Sequence, residues 1–124
     1  MKEFENFIRH LRWEAFSLAV LMVVLVQLSS VSLWTIPITF LLFDVGMVGY
    51  LKDDKTGALF YNLSHNLTLP TLFIAYGLFQ EIEVVAVIGF LWTFHIAVDR
   101  TLGFGLKEQT SFQHTHLGKL KKKR

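Results

Sequence analysis

The chain has 124 residues, 52% hydrophobic and 15% aromatic, with a mean hydropathy of +0.44 and a formal charge of only +2. That length suits one domain, and the composition exceeds a soluble average and fits a small integral membrane protein. Cysteine is absent, which excludes a disulfide framework and a thiolate metal site.

The opening stretch "MKEFENFIRHLRW" sets Phe4, Phe7, Ile8 and Leu11 at helical spacing, which predicts an amphipathic helix lying at a membrane interface. Glu3, Glu5 and Glu14 spoil the basic start that a cleaved signal peptide needs, so the first apolar run is expected to be retained. Four apolar segments then follow, at about residues 15–30, 31–51, 57–79 and 84–106, each near the ~20 residues a helix needs to cross a bilayer core. Their connections are short, so neighbours should run antiparallel. The expected fold is all-α: an integral membrane four-helix up-and-down bundle with an N-terminal interfacial amphipathic helix. Pro37 and Pro70 fall inside the second and third segments, where they are expected to kink a helix. Gly103 and Gly105 are expected to loosen the exit of the fourth, ahead of a basic tail over 107–124.

Lys and Arg concentrate before the first segment, in "KDDKT" and in the tail, and they avoid the other two connections. By the positive-inside rule both termini and the second connection should face the cytoplasm. The closing "KLKKKR" then reads as a topology determinant and a contact for anionic membrane lipids, not as a nucleic-acid site.

Polar residues inside the apolar segments carry the functional reading. Counted from the cytoplasmic ends, Asp44 and His65 lie roughly 12 Å deep, and Asp99 and His95 roughly 10 and 16 Å deep. His95 and Asp99 are four residues apart and share a helix face. Glu14 starts the first segment at slightly shallower depth, at the rim of the same layer. A charged carboxylate near a span centre costs about 3 kcal/mol, so this set has to be paired with cations, a metal or water. A divalent ion would neutralise two charges and organise the imidazoles. Mixed O and N donors without sulfur suit Zn, Mn or Fe. Tyr61 shares a face with His65, and Asn62 lies three residues before it, so both are placed to orient that imidazole. Polar glue between helices is the alternative reading of the same groups.

"FDVGMVGYL", "GALFYNLSHNLTLP", "HIAVDRTLGFGLK" and "FQHTHLG" resemble the signature blocks of a group of small bacterial membrane proteins, the family of domain of unknown function 4260, and "LRWE" is similar to its opening block. The resemblance implies a four-span protein of the bacterial inner membrane and brings no established activity. It marks Arg12, Glu14, Asp44, Tyr50, Tyr61, Asn62, His65, His95, Asp99, Arg100, Lys107 and His116 as motif positions. Phe43 stands where the block is expected to carry Pro. A looser similarity is to predicted membrane-bound metal-dependent hydrolases, by analogy only.

Together these point to an intramembrane protein with a polar, metal-binding site in its cytoplasmic half. The expected ligands are Asp44, His65, His95 and Asp99, with Glu14, Arg100 and His116 as candidate catalytic groups. The expected activity is metal-dependent hydrolysis of a lipid-like or phosphorylated amphiphile, with Arg12, Arg100 and Lys107 holding a phosphate. Two alternatives stand beside it: an ion or proton transporter or channel component, which with so few spans would need a homo-oligomer, and a non-catalytic membrane binding module.

Overall fold

A computed structural model of the chain describes residues 1–105, together with a two-residue antiparallel pairing of His114–Thr115 with Gly118–Lys119. The fold is all-α.

Helix α1 spans Lys2–Leu28. The expected interfacial helix and the first apolar segment are thus one continuous element. No Gly or Pro interrupts them, and Ala15, Ala19, Met22 and Val26 form a single buried stripe at helical spacing. A short helix, α2 (Thr35–Thr39), carries Pro37 in its first turn, where the missing N–H has no intrahelical partner to lose, so it starts a helix instead of kinking one.

The second segment then tightens into a 3₁₀ helix over Phe40–Leu51. Twelve residues is long for this geometry, which usually stops after three or four. At three residues per turn, Phe40, Phe43, Gly46 and Gly49 form one ridge, and Asp44, Met47 and Tyr50 form the next. The two glycines let the backbone of this segment press onto helix α3 (Asp54–His65): a Cβ on Gly49 would lie 2.8 Å from the Thr56 carbonyl oxygen, and one on Gly46 2.9 Å from that of Phe60. Asp53 caps α3, accepting the Thr56 N–H at 2.6 Å. This hydrogen bond holds the Asp53 carboxyl below the usual carboxylate range.

The expected third span is two helices, not one. α3 stops at His65, and α4 runs from Thr68 to Phe79. A helical Pro clashes with the carbonyl four residues back, and for Pro70 that residue is Asn66, where the break falls. Asn66 closes both ends: its amide Nδ2 donates to the Asn62 carbonyl at 2.6 Å, and its Oδ1 accepts the Thr68 N–H at 2.9 Å. The two halves have different partners, α3 the 3₁₀ segment and α4 helix α5 (Glu83–Leu102).

Helix α5 is the centre of the molecule, packed by α1, α4 and the 3₁₀ segment. Its core with α1 joins Met22 and Val26 to Ala86, Val87, Phe90 and Leu91. Two ties fix the antiparallel register of α1 on α5. The Ser30 N–H and hydroxyl donate to the Glu83 carboxylate, and Arg12 Nε donates to the Thr101 carbonyl at 2.7 Å. α5 does not run on to residue 106. Gly103 takes the left-handed conformation (φ 97°), and the N–H groups of Gly103 and Phe104 return to the Arg100 and Asp99 carbonyls. This is a Schellman stop, so Gly103 ends the helix instead of loosening it.

By length and composition, α1 and α5 are the two described helices able to cross a membrane. Large apolar side chains are also exposed on the other helices, among them Leu41, Leu42, Val45 and Val48 on the 3₁₀ segment, Leu59 and Leu63 on α3, and Leu72 and Tyr76 on α4.

Candidate metal centre

Four side chains from three elements meet at one point. The 3₁₀ segment supplies Asp44, the last turn of α3 supplies His65, and one face of α5 supplies His95 and Asp99. His65 Nε2 lies 3.2 Å from Asp44 Oδ1 and 3.2 Å from Asp99 Oδ2; His95 Nε2 lies 3.1 and 3.3 Å from the same two oxygens. The two Nε2 atoms are 3.1 Å apart. Donors placed at roughly 2.0–2.1 Å around a tetrahedral ion stand about 3.3–3.4 Å from one another. Five of the six edges of the cluster therefore already match a tetrahedron of ligands, and the whole set fits within 4.8 Å.

Hydrogen bonding sharpens the match. His65 Nδ1 lies 3.1 Å from the Tyr61 carbonyl oxygen and 2.8 Å from Ser64 Oγ, and the Ser64 hydroxyl itself donates to the Tyr61 carbonyl at 3.0 Å. Both neighbours thus accept from His65, which assigns the proton to Nδ1 and leaves a lone pair on Nε2. A neutral His65 cannot donate to either carboxylate. Its lone pair and the carboxylate lone pairs face one small volume; a cation satisfies all of them at once, whereas a single N–H from His95 Nε2 satisfies them only in part. Protonating both histidines is no remedy, because two N–H bonds aimed across 3.1 Å at the same point would collide. Two carboxylates and one divalent ion leave the cluster electrically neutral, which lowers the cost of burying it.

Aromatic walls enclose the imidazoles. The Tyr61 ring stacks on His65 with centroids 3.8 Å apart and planes 8° from parallel. Phe40 and Phe43 lie 4.4 and 5.8 Å from His95, and Trp92 stacks on Phe43 while its Nε1 donates to the Ser64 carbonyl at 2.6 Å. His65 and His95 are buried; the Asp44 side chain remains 33% exposed and Asp99 18%, so the cluster opens on its carboxylate side.

A family model described as a domain of unknown function (DUF4260) matches residues 9–120. The chain belongs to the DUF4260 family. No curated protein and no solved structure matches it. The matched stretch of this DUF4260 protein includes every residue expected at the site. The structure brings together Asp44, His65, His95 and Asp99, and it stacks Tyr61 directly on His65. Asn62 contributes its carbonyl to the Asn66 cap, one turn away from the imidazole. Arg100 pairs with neither carboxylate of the cluster. Its guanidinium reaches the His65 carbonyl at 3.5 Å, at the C-terminal end of α3, where a cation complements the helix dipole. Glu14 is not one of the four that meet; with Arg100 it lines a neighbouring cleft between α1 and α5. Lys107 and His116 lie outside the described residues. Sequence reasoning missed Phe40, Ser64 and Trp92 as walls of the site. The phenylalanine could have been found from the period-three pattern that places Phe40 and Phe43 on one 3₁₀ ridge.

Proposed function

We propose that the protein is a membrane-embedded, metal-dependent hydrolase, with a single Zn, Mn or Fe ion held by Asp44, His65, His95 and Asp99. The observation that carries the proposal is the contact of His65 Nδ1 with the Tyr61 carbonyl, an acceptor, while Nε2 faces two carboxylates and a second imidazole. A bound ion would supply Lewis acidity and lower the pKa of a coordinated water toward neutrality. The protein's own groups do the remainder. Tyr61 and Ser64 hold the His65 ring and its tautomer. Asp44, the most exposed of the four, meets both imidazoles through Oδ1, which leaves its second oxygen to accept a proton. The aromatic walls keep water away from the imidazoles and strengthen electrostatic interactions within the cluster.

The membrane setting rests on the hydropathy of α1 and α5 and on the apolar side chains exposed around the other elements. Positive residues place both termini in the cytoplasm in this reading, and reporter fusions at Gln80 and Arg124 should then report opposite sides. The first turns of α5, Val84–Leu91, are wholly apolar, so the polar groups form a one-sided site and not a path across the molecule. That favours hydrolysis over transport. Metal analysis of protein purified in detergent without chelator should find one ion per chain. The loaded protein should release a water-soluble product from phosphoester or carboxylic-ester amphiphiles, and His95→Ala should do neither. Wild-type protein without a stoichiometric ion would sink the proposal; a full complement of metal without turnover would reduce it to a metal-binding membrane module.

A further inference from the structure

The cleft between α1 and α5 holds two opposite charges that do not meet. It has a volume of about 170 Å³ and apolar walls that include Leu11, Leu18, Leu67 and Ile96, with Glu14 and Arg100 as its charged lining. Among the described residues no ion pair joins Glu14 to Arg100, and the recorded hydrogen bond of the guanidinium is the long one to the His65 carbonyl. Arg100 is partly buried, follows the ligand Asp99 directly in α5 and contacts the residue that carries the His65 ligand.

A half-buried guanidinium facing an apolar cleft is complementary to an anionic oxygen group, with a fork that suits phosphate. A carboxylate at a different point of the same cleft is complementary to a cation carrying N–H donors. Together they describe a zwitterion with phosphate and ammonium separated. The volume lies below the ~300–1,000 Å³ that encloses a whole small molecule, so the cleft takes a headgroup and leaves any hydrocarbon tail on the exposed apolar surface of α1. We infer that the Glu14–Arg100 cleft binds the headgroup of a zwitterionic membrane amphiphile, with its phosphate on Arg100 and its primary ammonium on Glu14. As a substrate class for the neighbouring cluster it rests on the proposed hydrolase; headgroup binding in the cleft does not.

The test uses the full chain in detergent, titrated with short-chain phospholipids bearing ethanolamine, choline or glycerol headgroups, with metal content measured on every sample. Wild-type protein should bind the ethanolamine lipid about tenfold more tightly than the glycerol lipid, the order expected for one charge-assisted contact. The choline lipid, which has no N–H to donate, should fall between them. Glu14→Gln should erase the preference while leaving binding of the glycerol lipid in place. Arg100→Gln should weaken all three by about tenfold, and Arg100→Lys should recover part of the loss. Equal affinity for ethanolamine and glycerol headgroups, or a preference that survives Glu14→Gln, would overturn the inference. So would soluble phosphoethanolamine binding as tightly as the lipid, since the exposed apolar surface of α1 would then contribute nothing. Headgroup selectivity in protein that holds no metal would leave this site standing and remove the hydrolase; stoichiometric metal without selectivity would do the reverse.

Discussion

His65 and His95 come from different helices, thirty residues apart in sequence, and present their Nε2 atoms to each other at 3.1 Å. Two buried neutral imidazoles in that arrangement share either one N–H or a common cation, and the two flanking carboxylates favour the cation. The relationship defines the first prediction. His65→Ala, His95→Ala and Asp99→Ala should each lower metal affinity by more than the ~10–100-fold typical of losing an outer-shell partner. The helical circular dichroism should persist. Tyr61→Leu, which removes the stacked ring and leaves the backbone acceptor of His65 Nδ1, should weaken metal less than any ligand substitution, as read by competition with a chelator.

Close approach of α4 to α5 depends on Gly89. A Cβ there would lie 2.9 Å from the Pro70 carbonyl oxygen and 2.9 Å from the Ile74 nitrogen, and neither backbone atom has room to retreat. Gly89→Val should therefore destabilise by about 1–3 kcal/mol or more through overpacking, seen as a lower thermal midpoint. Gly103→Ala should also destabilise, because φ 97° is strained for any residue with a Cβ, though nothing lies within 4 Å of that position.

Glu81 is the complementary case. It adopts φ 56° at the end of α4, a left-handed conformation that glycine takes without penalty. Glu81→Gly should raise thermal stability by up to about 1 kcal/mol. A fall would mean that the Glu81 side chain contributes more than its backbone costs.

Asp53 gives α3 an acid-sensitive start. Its pKa is lowered in the folded state by the hydrogen bonds from Thr56, with smaller help from Lys52 and Lys55. Its stabilisation is thus fully present above the unfolded carboxylate pKa and is lost as pH falls through the lower folded value. Amide exchange in the first turns of α3, whose N-cap is Asp53, should accelerate relative to the intrinsic rate at each pH as the solution becomes acidic. Asp53→Ala should show the faster exchange at neutral pH and lose the pH response.

Counting residues inward from the charged ends picked out the four side chains that meet, because depth along an axis depends only weakly on how a helix is wound. Depth does not say which way a side chain points. Glu14 lies at a matching level, but α1 turns Ala15, Ala19, Met22 and Val26 toward α5, and that rotation sets Glu14 in the neighbouring cleft. Hydropathy likewise read residues 57–79 as one span, since Asn66 interrupts the apolar pattern only slightly. The steric demand of Pro70 on the carbonyl four residues before it was present in the sequence and locates the break. The period of three in Phe40, Phe43, Gly46 and Gly49 was also present, but it is easily absorbed into a helical pattern of 3.6.

The tight winding of Phe40–Leu51 has a consequence for the ligand it carries. A 3₁₀ helix turns about 120° per residue and an α-helix about 100°, so over the four residues from Phe40 to Asp44 the two differ by roughly 80° of azimuth. An α-helical version of this segment with Phe40 still against His95 would swing Asp44 away from both imidazoles. It would also shorten the segment by about 0.5 Å for each residue converted. The place of Asp44 in the cluster and the pitch of the backbone are therefore one variable. An ion bound by these four residues would act as a torsional latch on this segment, and whatever unwinds or overwinds the segment would set how tightly the ion is held.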